Sequence, residues 1–395
     1  MRKVVLLFIV LLVITFSIYS ETEEGYYLFS PLANKNVYLI DERGEVKHQW
    51  KTSYGPGLSV YLLEDGSLLR SESIQSRDFK AGGSAGRVAL YDASSNEIWS
   101  YDYASKDKLS HHDVEPLPNG NILILAWEKF SRNEAIANGL DGDFFKDNEI
   151  WADHIIEVNP TTDEIVWQWH VWDHLVQDYD KSLDNYGDVA RNPGKINLNY
   201  FGSSDKIDWN HINSIDYNEE KDQILLSSHS FNEIWIINHN ISSDEAKSSK
   251  GDLLYRWGNP EAYDTKGEQV LYQQHDAEWI DDDRIMVFNN GDQRQHPYSS
   301  VLELEYSDLK TEILWKYEKR NDFFAKNISS SQRLENGNTL ICNGPIGRFF
   351  EVNNNNEIVW EYDNPFFSKT PKGEINEVFR VHKYSTDYPG ILNFK

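Results

Sequence analysis

The chain has one cysteine, two methionines and only 38 basic residues against 64 acidic ones, spread over 395 positions. A lone Cys342 closes no internal disulfide and excludes a cysteine-rich zinc site. The shortage of basic side chains leaves a net charge of −26, which argues against a general binder of nucleic acid or anionic membranes. Its plainest meaning is a solvated acidic surface. The longest apolar run is confined to the first twenty residues. There Arg2 and Lys3 precede the apolar stretch 4–16, and residues 17–20 offer a small-residue cleavage region, the order of a secretory signal. The stretch is short for a spanning helix, although an uncleaved anchor is also compatible with it, and no cysteine follows to carry a lipid. The expectation is a signal at 1–20, one domain over 21–395, and a periplasmic or secreted protein.

Aromatic residues are plentiful: 13 Trp, 22 Tyr and 18 Phe. Rings at that density suit half-buried strands. With 39% hydrophobic and 26% charged residues, the chain can form a sizeable folded body. Past residue 20 one pattern returns six times: an apolar stretch, a polar turn, then a second stretch reaching tryptophan. It occupies 37–50, 88–99, 155–167, 234–257, 301–315 and 349–360. Each copy reads as a β-hairpin. A second hairpin type alternates with it at 58–69, 112–125, 211–225, 275–286 and 329–340, with turn signals such as Asn119-Gly120 and Asn336-Gly337. Two hairpins make a four-stranded unit, and such units at this spacing predict an all-β, six-bladed propeller. The first tryptophan hairpin has no partner before it, and a last hairpin (378–384 with 391–394) has none after it. The two ends should therefore share a blade and close the ring. Insertions at 128–153 and 173–207 read as ordered loops over one mouth, and 240–250 as a mobile polar loop.

Three histidines stand at matched places in this repeat. His112, His211 and His275 each open the first strand of a unit, which in a propeller lines the central channel. His229 ends the returning strand and is carried back to the same mouth. Imidazoles so placed can bind a metal, move protons or act as nucleophiles. Asp113 and Asp276, next to two of them, would serve a metal site; Arg294 or Arg380 would serve an anion site. Composition and spacing leave both open.

The phrases HHDVEPLPNGN (111–121), DWNHINSIDYN (208–218), RWGNP (256–260), QQHDAEW (273–279), FNNG (288–291), GYYLFSPLANKNVYLID (25–41) and FRVHKYSTDYPG (379–390) resemble the bacterial arylsulfate sulfotransferase family. The resemblance runs in family order from about residue 25 to 392. It implies a six-bladed propeller that moves a sulfuryl group from an aryl sulfate ester to a phenolic acceptor through a sulfated histidine. No nucleotide sulfate donor, metal or other cofactor is implied. Carried over by motif, His275 would be the nucleophile, with His112 and His211 steadying sulfate oxygens and the leaving phenolate. Best-known members carry an arginine in a Ser-Ser-Arg stretch where this chain has Ser227-Ser228-His229, so His229 joins the catalytic set. His111, Asn213, Asn290, Arg294, Arg380 and His174 complete the set as candidate substrate-binding residues, His174 from the WHVWDH segment. Two other classes stay open: a non-catalytic propeller binding a glycan or envelope partner, and a metal-assisted lyase or hydrolase.

Overall fold

The computed structural model describes residues 22–202, 207–307, 311–371 and 373–394. The expected signal at 1–20 lies outside them. Six four-stranded antiparallel sheets form the body. Their inner strands touch in sequence around a ring: Gly55–Leu62, Lys108–Pro116, Ile212–Asn218, His275–Trp279, Ser330–Arg333 and Val378–Ser385, the last returning to the first. This is the expected six-bladed propeller.

Burial along each blade explains the sequence pattern. Third strands such as Glu233–Asn238 (EIWIIN) are buried on both faces because neighbouring blades cover them, so they read as solid apolar runs. Outer strands such as Glu97–Asp102 are half exposed and alternate with charge. Their tryptophans hook forward onto the next blade. The indole N–H of Trp50 donates to Asp92 O (3.1 Å), that of Trp99 to Asp163 Oδ1 (2.8 Å), that of Trp167 to Ile241 O (2.9 Å) and that of Trp360 to Glu42 O (2.7 Å). The blade-end tryptophans thus pack between blades, as large rings with one polar atom do best at a half-wet seam.

Ring closure differs in detail from the expectation. The closing blade runs Val378–Ser385, Gly25–Pro31, Asn36–Asp41, Val46–Lys51, so the carboxyl end supplies one strand and the amino end three. The segment expected to pair as a second carboxyl-terminal strand is a 3-10 turn, Pro389–Phe394. It buries Ile391 and sets Phe394 against Trp50 and His48, with ring centroids 5.2 and 4.6 Å apart.

The insertions are also more regular than expected. The first extends two strands of the third blade, Ile122–Ser131 and Glu149–Asn159, and caps them with helix Arg132–Ala137 behind a Ser131–Glu134 capping box. The second carries a two-stranded parallel pair, Leu175–Val176 with Ile196–Asn197. The 240–250 stretch, expected to be a mobile loop, holds a short helix, Ser243–Ala246, with its own Ser242–Glu245 capping box.

A titratable clamp joins the third and fourth blades. His239 follows the third strand of the fourth blade and lies between Asp222 Oδ1 (2.7 Å) and Glu157 Oε2 (3.1 Å) of the third. Burial alone would lower its pKa, but the two carboxylates outweigh burial and raise it above 6.5. Its contribution to stability is therefore full below pH 6.5 and is lost as pH rises through the folded value. The difference in melting midpoint between wild type and His239→Gln should be largest below pH 6.5 and shrink above it. A difference that is flat with pH would contradict the clamp.

Candidate active site

The inner strands of three consecutive blades break their pleat at the same level. Register shifts fall between Ser110 and Val114, Ile212 and Ser214, and His275 and Glu278. The backbone enters the left-handed region at His112 (φ 51°), His211 (φ 44°) and Asp276 (φ 55°). Non-glycine residues rarely adopt it, and such strain gathers at functional sites. Its effect is to gather side chains that a regular strand would send to opposite faces.

Four imidazoles meet there. Ring centroids run His112–His211 4.7 Å, His211–His229 5.0 Å and His229–His275 5.3 Å. Phe379 of the closing strand approaches both ends of this row, 6.2 Å from His112 and 6.3 Å from His275. The backbone N–H of His229 donates to His211 O (3.1 Å), which fixes the return of that strand to the mouth. Gly83 covers the face of His112: a Cβ there would lie 2.1 Å from the ring, and its carbonyl accepts the His112 N–H.

The tautomer of His275 follows from its partner. Asn290 Nδ2 donates to Ala325 O and Ile328 O, both 2.8 Å away, so its Oδ1 must be the atom facing the ring. That oxygen accepts from His275 Nδ1 at 2.8 Å, leaving the Nε2 lone pair uncommitted to this network. Burial pushes His275 down to about 4, against the opposing pull of the Asn290 bond. The ring is neutral at physiological pH and can attack. His211 Nδ1 lies 2.5 Å from Asp208 Oδ2, which anchors the ring. Burial, reinforced by the neighbouring imidazoles, holds His112 and His229 well below 6.5.

Behind the histidines lies a charged lock. Arg380 of the closing strand is 3% exposed. Its Nη1 and Nη2 donate to Asp113 Oδ1 and Oδ2 (3.2 and 2.8 Å), Nη1 donates to Tyr61 (2.5 Å), and Nε lies 2.5 Å from Asp276 Oδ1. Asp113 also accepts Ile215 N–H, and Asp276 accepts Ser331 N–H. Further along the same three strands come Glu115, Asp216 and Glu278, all raised by burial, Asp216 to about 7.

The structure thus brings together His112, His211, His229, His275 and Asn290, and sorts the other expected residues differently. Arg380 does not offer its charge to a substrate, because two aspartates have taken it. Those aspartates are equally unavailable as metal ligands. His111 is 1% exposed, stacks on Trp127 (3.9 Å) and stands behind His112, with Nδ1 2.8 Å from His112 Nδ1 and Nε2 2.7 Å from Asp153. With both nitrogens engaged it cannot bind substrate directly. His174 is away from the row, stacked on Trp169 with Nδ1 on Asp252, and packs an insertion. Asn213 is buried and ties the fourth blade to the fifth through Gln274 O. Arg294 is exposed and lines a recess of about 500 Å³ beside the mouth, with Phe144, Tyr200, Tyr272 and Gln273.

Sequence reasoning missed Asp208, Asp153 and Phe379. Asp208 was findable, three residues before His211 on the same turn; Asp153 lies on a distant strand with no motif to mark it.

One group could hold a metal by distance: Glu128, His154 and His170, with ligand atoms within 4.8 Å. Its two imidazoles lie parallel (4°) with centroids 4.9 Å apart, so their in-plane lone pairs do not converge. Lys108 Nζ stands 3.8 Å from Glu128 and supplies positive charge already. It is a polar cluster running across the strands of the third blade.

A propeller whose channel mouth gathers four imidazoles offers groups that can bind an anion, move protons or accept a transferred group. The chain is a member of the Arylsulfotransferase (ASST) family, whose model matches residues 17–383. Membership assigns it to the sulfotransferases that act on small molecules. No match is found among functionally curated proteins. Among solved structures, a protein of unknown function from Bacteroides caccae aligns at TM-score 0.51 and 13% identity, over 92% of this chain and 99% of that one. A Lactobacillus plantarum protein aligns at 0.46 and 9% identity over 92% and 83%. A catalytically inactive variant of virginiamycin B lyase from Staphylococcus aureus with quinupristin aligns at 0.45 and 11% over 91% and 94%. The first shows the fold alone.

The lock makes a stability prediction. Arg380→Met strands two buried carboxylates and should lower the unfolding free energy by about 3–5 kcal/mol in urea titrations. Adding Asp113→Asn and Asp276→Asn should recover most of that loss. A single-variant loss under about 1 kcal/mol would show that the charges are not locked together.

Proposed function

We propose that the protein transfers a sulfuryl group from an aryl sulfate ester to a phenolic acceptor, by a two-step route through sulfated His275, outside the cytoplasm. The observation that carries this reading is the His275 tautomer. Asn290, oriented by two backbone carbonyls, accepts the Nδ1–H hydrogen bond and leaves Nε2 to attack sulfur. When the N–S bond forms, the ring gains positive charge, and the Asn290 carbonyl already faces its N–H. Sulfate ester cleavage spreads charge over the three peripheral oxygens, so donors placed around the sulfur do most of the work. His211, anchored through Nδ1 on Asp208, and His229 stand beside the attacking ring, and we assign them the contacts to those oxygens. His229 gives fewer donors than an arginine fork would. Export is supported by the apolar leader with its two preceding basic residues.

Incubation with a nitrophenyl sulfate, with and without phenol, tests this directly. Acceptor-dependent release of nitrophenol is expected; release without acceptor would mean hydrolysis, and silence across a broad donor panel would favour the binding-module reading. Donor alone should add about 80 Da to His275, the mass of the sulfuryl group, and acceptor should remove it, as a ping-pong route requires. His275→Ala should abolish turnover, and His211→Ala should slow it by at least ~100-fold. His229→Arg should raise activity toward simple aryl sulfates. Full activity in His275→Ala would overturn the assignment.

A further inference from the structure

The left-handed residue at His112 sets two consecutive histidines side by side, which alternation along a strand would forbid. His111 and His112 share a proton between their Nδ1 atoms, 2.8 Å apart. Beyond them, His111 Nε2 stands 2.7 Å from Asp153 Oδ1, off the axis of an ideal N–H···O bond, with the Ala126 backbone also approaching the His111 ring. Such bonds often straighten only in the reacting complex. Asp153 is fully buried, and its other oxygen is saturated by Asn210 Nδ2 (2.6 Å) and Ile212 N–H (2.7 Å). A proton on this carboxyl can therefore sit only on Oδ1, the oxygen that faces His111.

We infer that Asp153, His111 and His112 form a proton relay that ends at His112 Nε2 and serves the phenolic oxygens of donor and acceptor. The inference rests on the sulfuryl-transfer reading for its use and on the geometry for its existence. In the loaded form Asp153 is a neutral acid donating to His111 Nε2; His111 Nδ1–H donates to His112 Nδ1; His112 carries its proton on Nε2. As His275 attacks, the S–O bond breaks and its electron pair goes to the aryl oxygen, which takes the His112 Nε2 proton. Protons shift down the line and Asp153 becomes a carboxylate. In the second step the acceptor phenol gives its proton to His112 Nε2 while its oxygen attacks sulfur. The N–S electron pair returns to His275, the line shifts back and Asp153 is neutral again. No imidazolium forms on His111 or His112 at any stage. His112 is the catalytic group; His111 and Asp153 are positioning residues.

The charges facing the line agree. They are Asp113 on the same strand, already taken by Arg380; Asp208, His211 and His229 from the fourth blade; His275 from the fifth; and Glu128 behind Asp153. Burial holds both imidazoles well below their usual value and, with Asp208 adding, holds Asp153 well above the carboxylate range.

Two measurements on the intact chain decide it. With ¹⁵N-labelled histidine, NMR should show His111 and His112 changing tautomer together as pH rises through the Asp153 ionisation, from Nδ1–H on His111 and Nε2–H on His112 to Nε2–H on His111 and Nδ1–H on His112. Asp153→Asn should abolish the change, because its amide must present Nδ2–H to His111 and lock the loaded form. Independent titration of the rings, no change in wild type, or the same change in Asp153→Asn overturns the relay, whether or not sulfuryl transfer is seen. In kinetics, the locked variant cannot accept a proton. Asp153→Asn should lose at least ~100-fold with an acceptor phenol that is un-ionised at the assay pH, accumulating sulfated enzyme, but less than about 10-fold with one already ionised. Equal losses with both acceptors overturn the catalytic use. Absence of turnover in wild type with a preserved joint tautomer change would instead sink the sulfuryl-transfer reading and leave the relay standing.

Discussion

Arg380 is the point on which the site depends. It lies on the last strand of the chain and joins Asp113 of the third blade, Asp276 of the fifth and Tyr61 of the second. Each aspartate immediately follows a histidine of the row. Fixing Asp113 and Asp276 fixes the turns of backbone on which His112 and His275 sit. A buried guanidinium is costly to desolvate, and replacing the whole group with apolar side chains often costs a protein nothing. What such a group does achieve here is register: one charge makes three blades and the closing strand agree on where the channel level lies. Ring closure and site assembly are consequently one event.

That coupling explains how the site can be neutral and still handle an anion in a chain of net charge −26. The Arg380 cation is matched by two carboxylates, and the acids further along the channel are raised by burial. The histidine level is therefore insulated from both the acidic surface and the charged lock. Its imidazoles are set individually by what each touches: Asn290 for His275, Asp208 for His211, His111 for His112. Similar side chains acquire different duties from their neighbours.

The blades were legible in the sequence because hairpins are local: a polar turn between apolar runs announces itself, and tryptophan at each outer strand marks the period. The matched positions of His112, His211 and His275 followed from the same repeat. Long-range pairing was not legible. Nothing near Gly25–Pro31 says that its partner is Val378–Ser385, and residues 391–394 have strand composition but turn as a 3-10 segment against the Trp50 ring. The Ser242–Glu245 capping box was readable, yet the polar composition around it suggested a loop. At the site, alternation sends His111 to the face opposite His112; only the positive φ at His112, invisible in a residue list, reverses that. Arg380 looked like an anion receptor because its two aspartates sit some 270 and 100 residues away in the chain, at separations of 267 and 104 positions.

The seams between blades are not equivalent. At four of them the tryptophan hook points forward, each blade gripping the next. At the seam between the fifth and sixth blades the indole nitrogen of Trp315 has no hydrogen-bond partner among the described residues. Asn356 of the sixth blade reaches back to Lys316 O instead, and Arg333 lies over the Trp315 ring at 4.6 Å while pairing with Glu303 at 2.5 Å. Cohesion there combines an ion pair with a cation–π contact, and only 11% and 8% of the two paired side chains are exposed. Charges so withdrawn from water are screened by dissolved salt far less than surface pairs are. The joint beside the strand that bears His275 is thus held by charge and yet keeps its grip as the ionic strength of its surroundings changes.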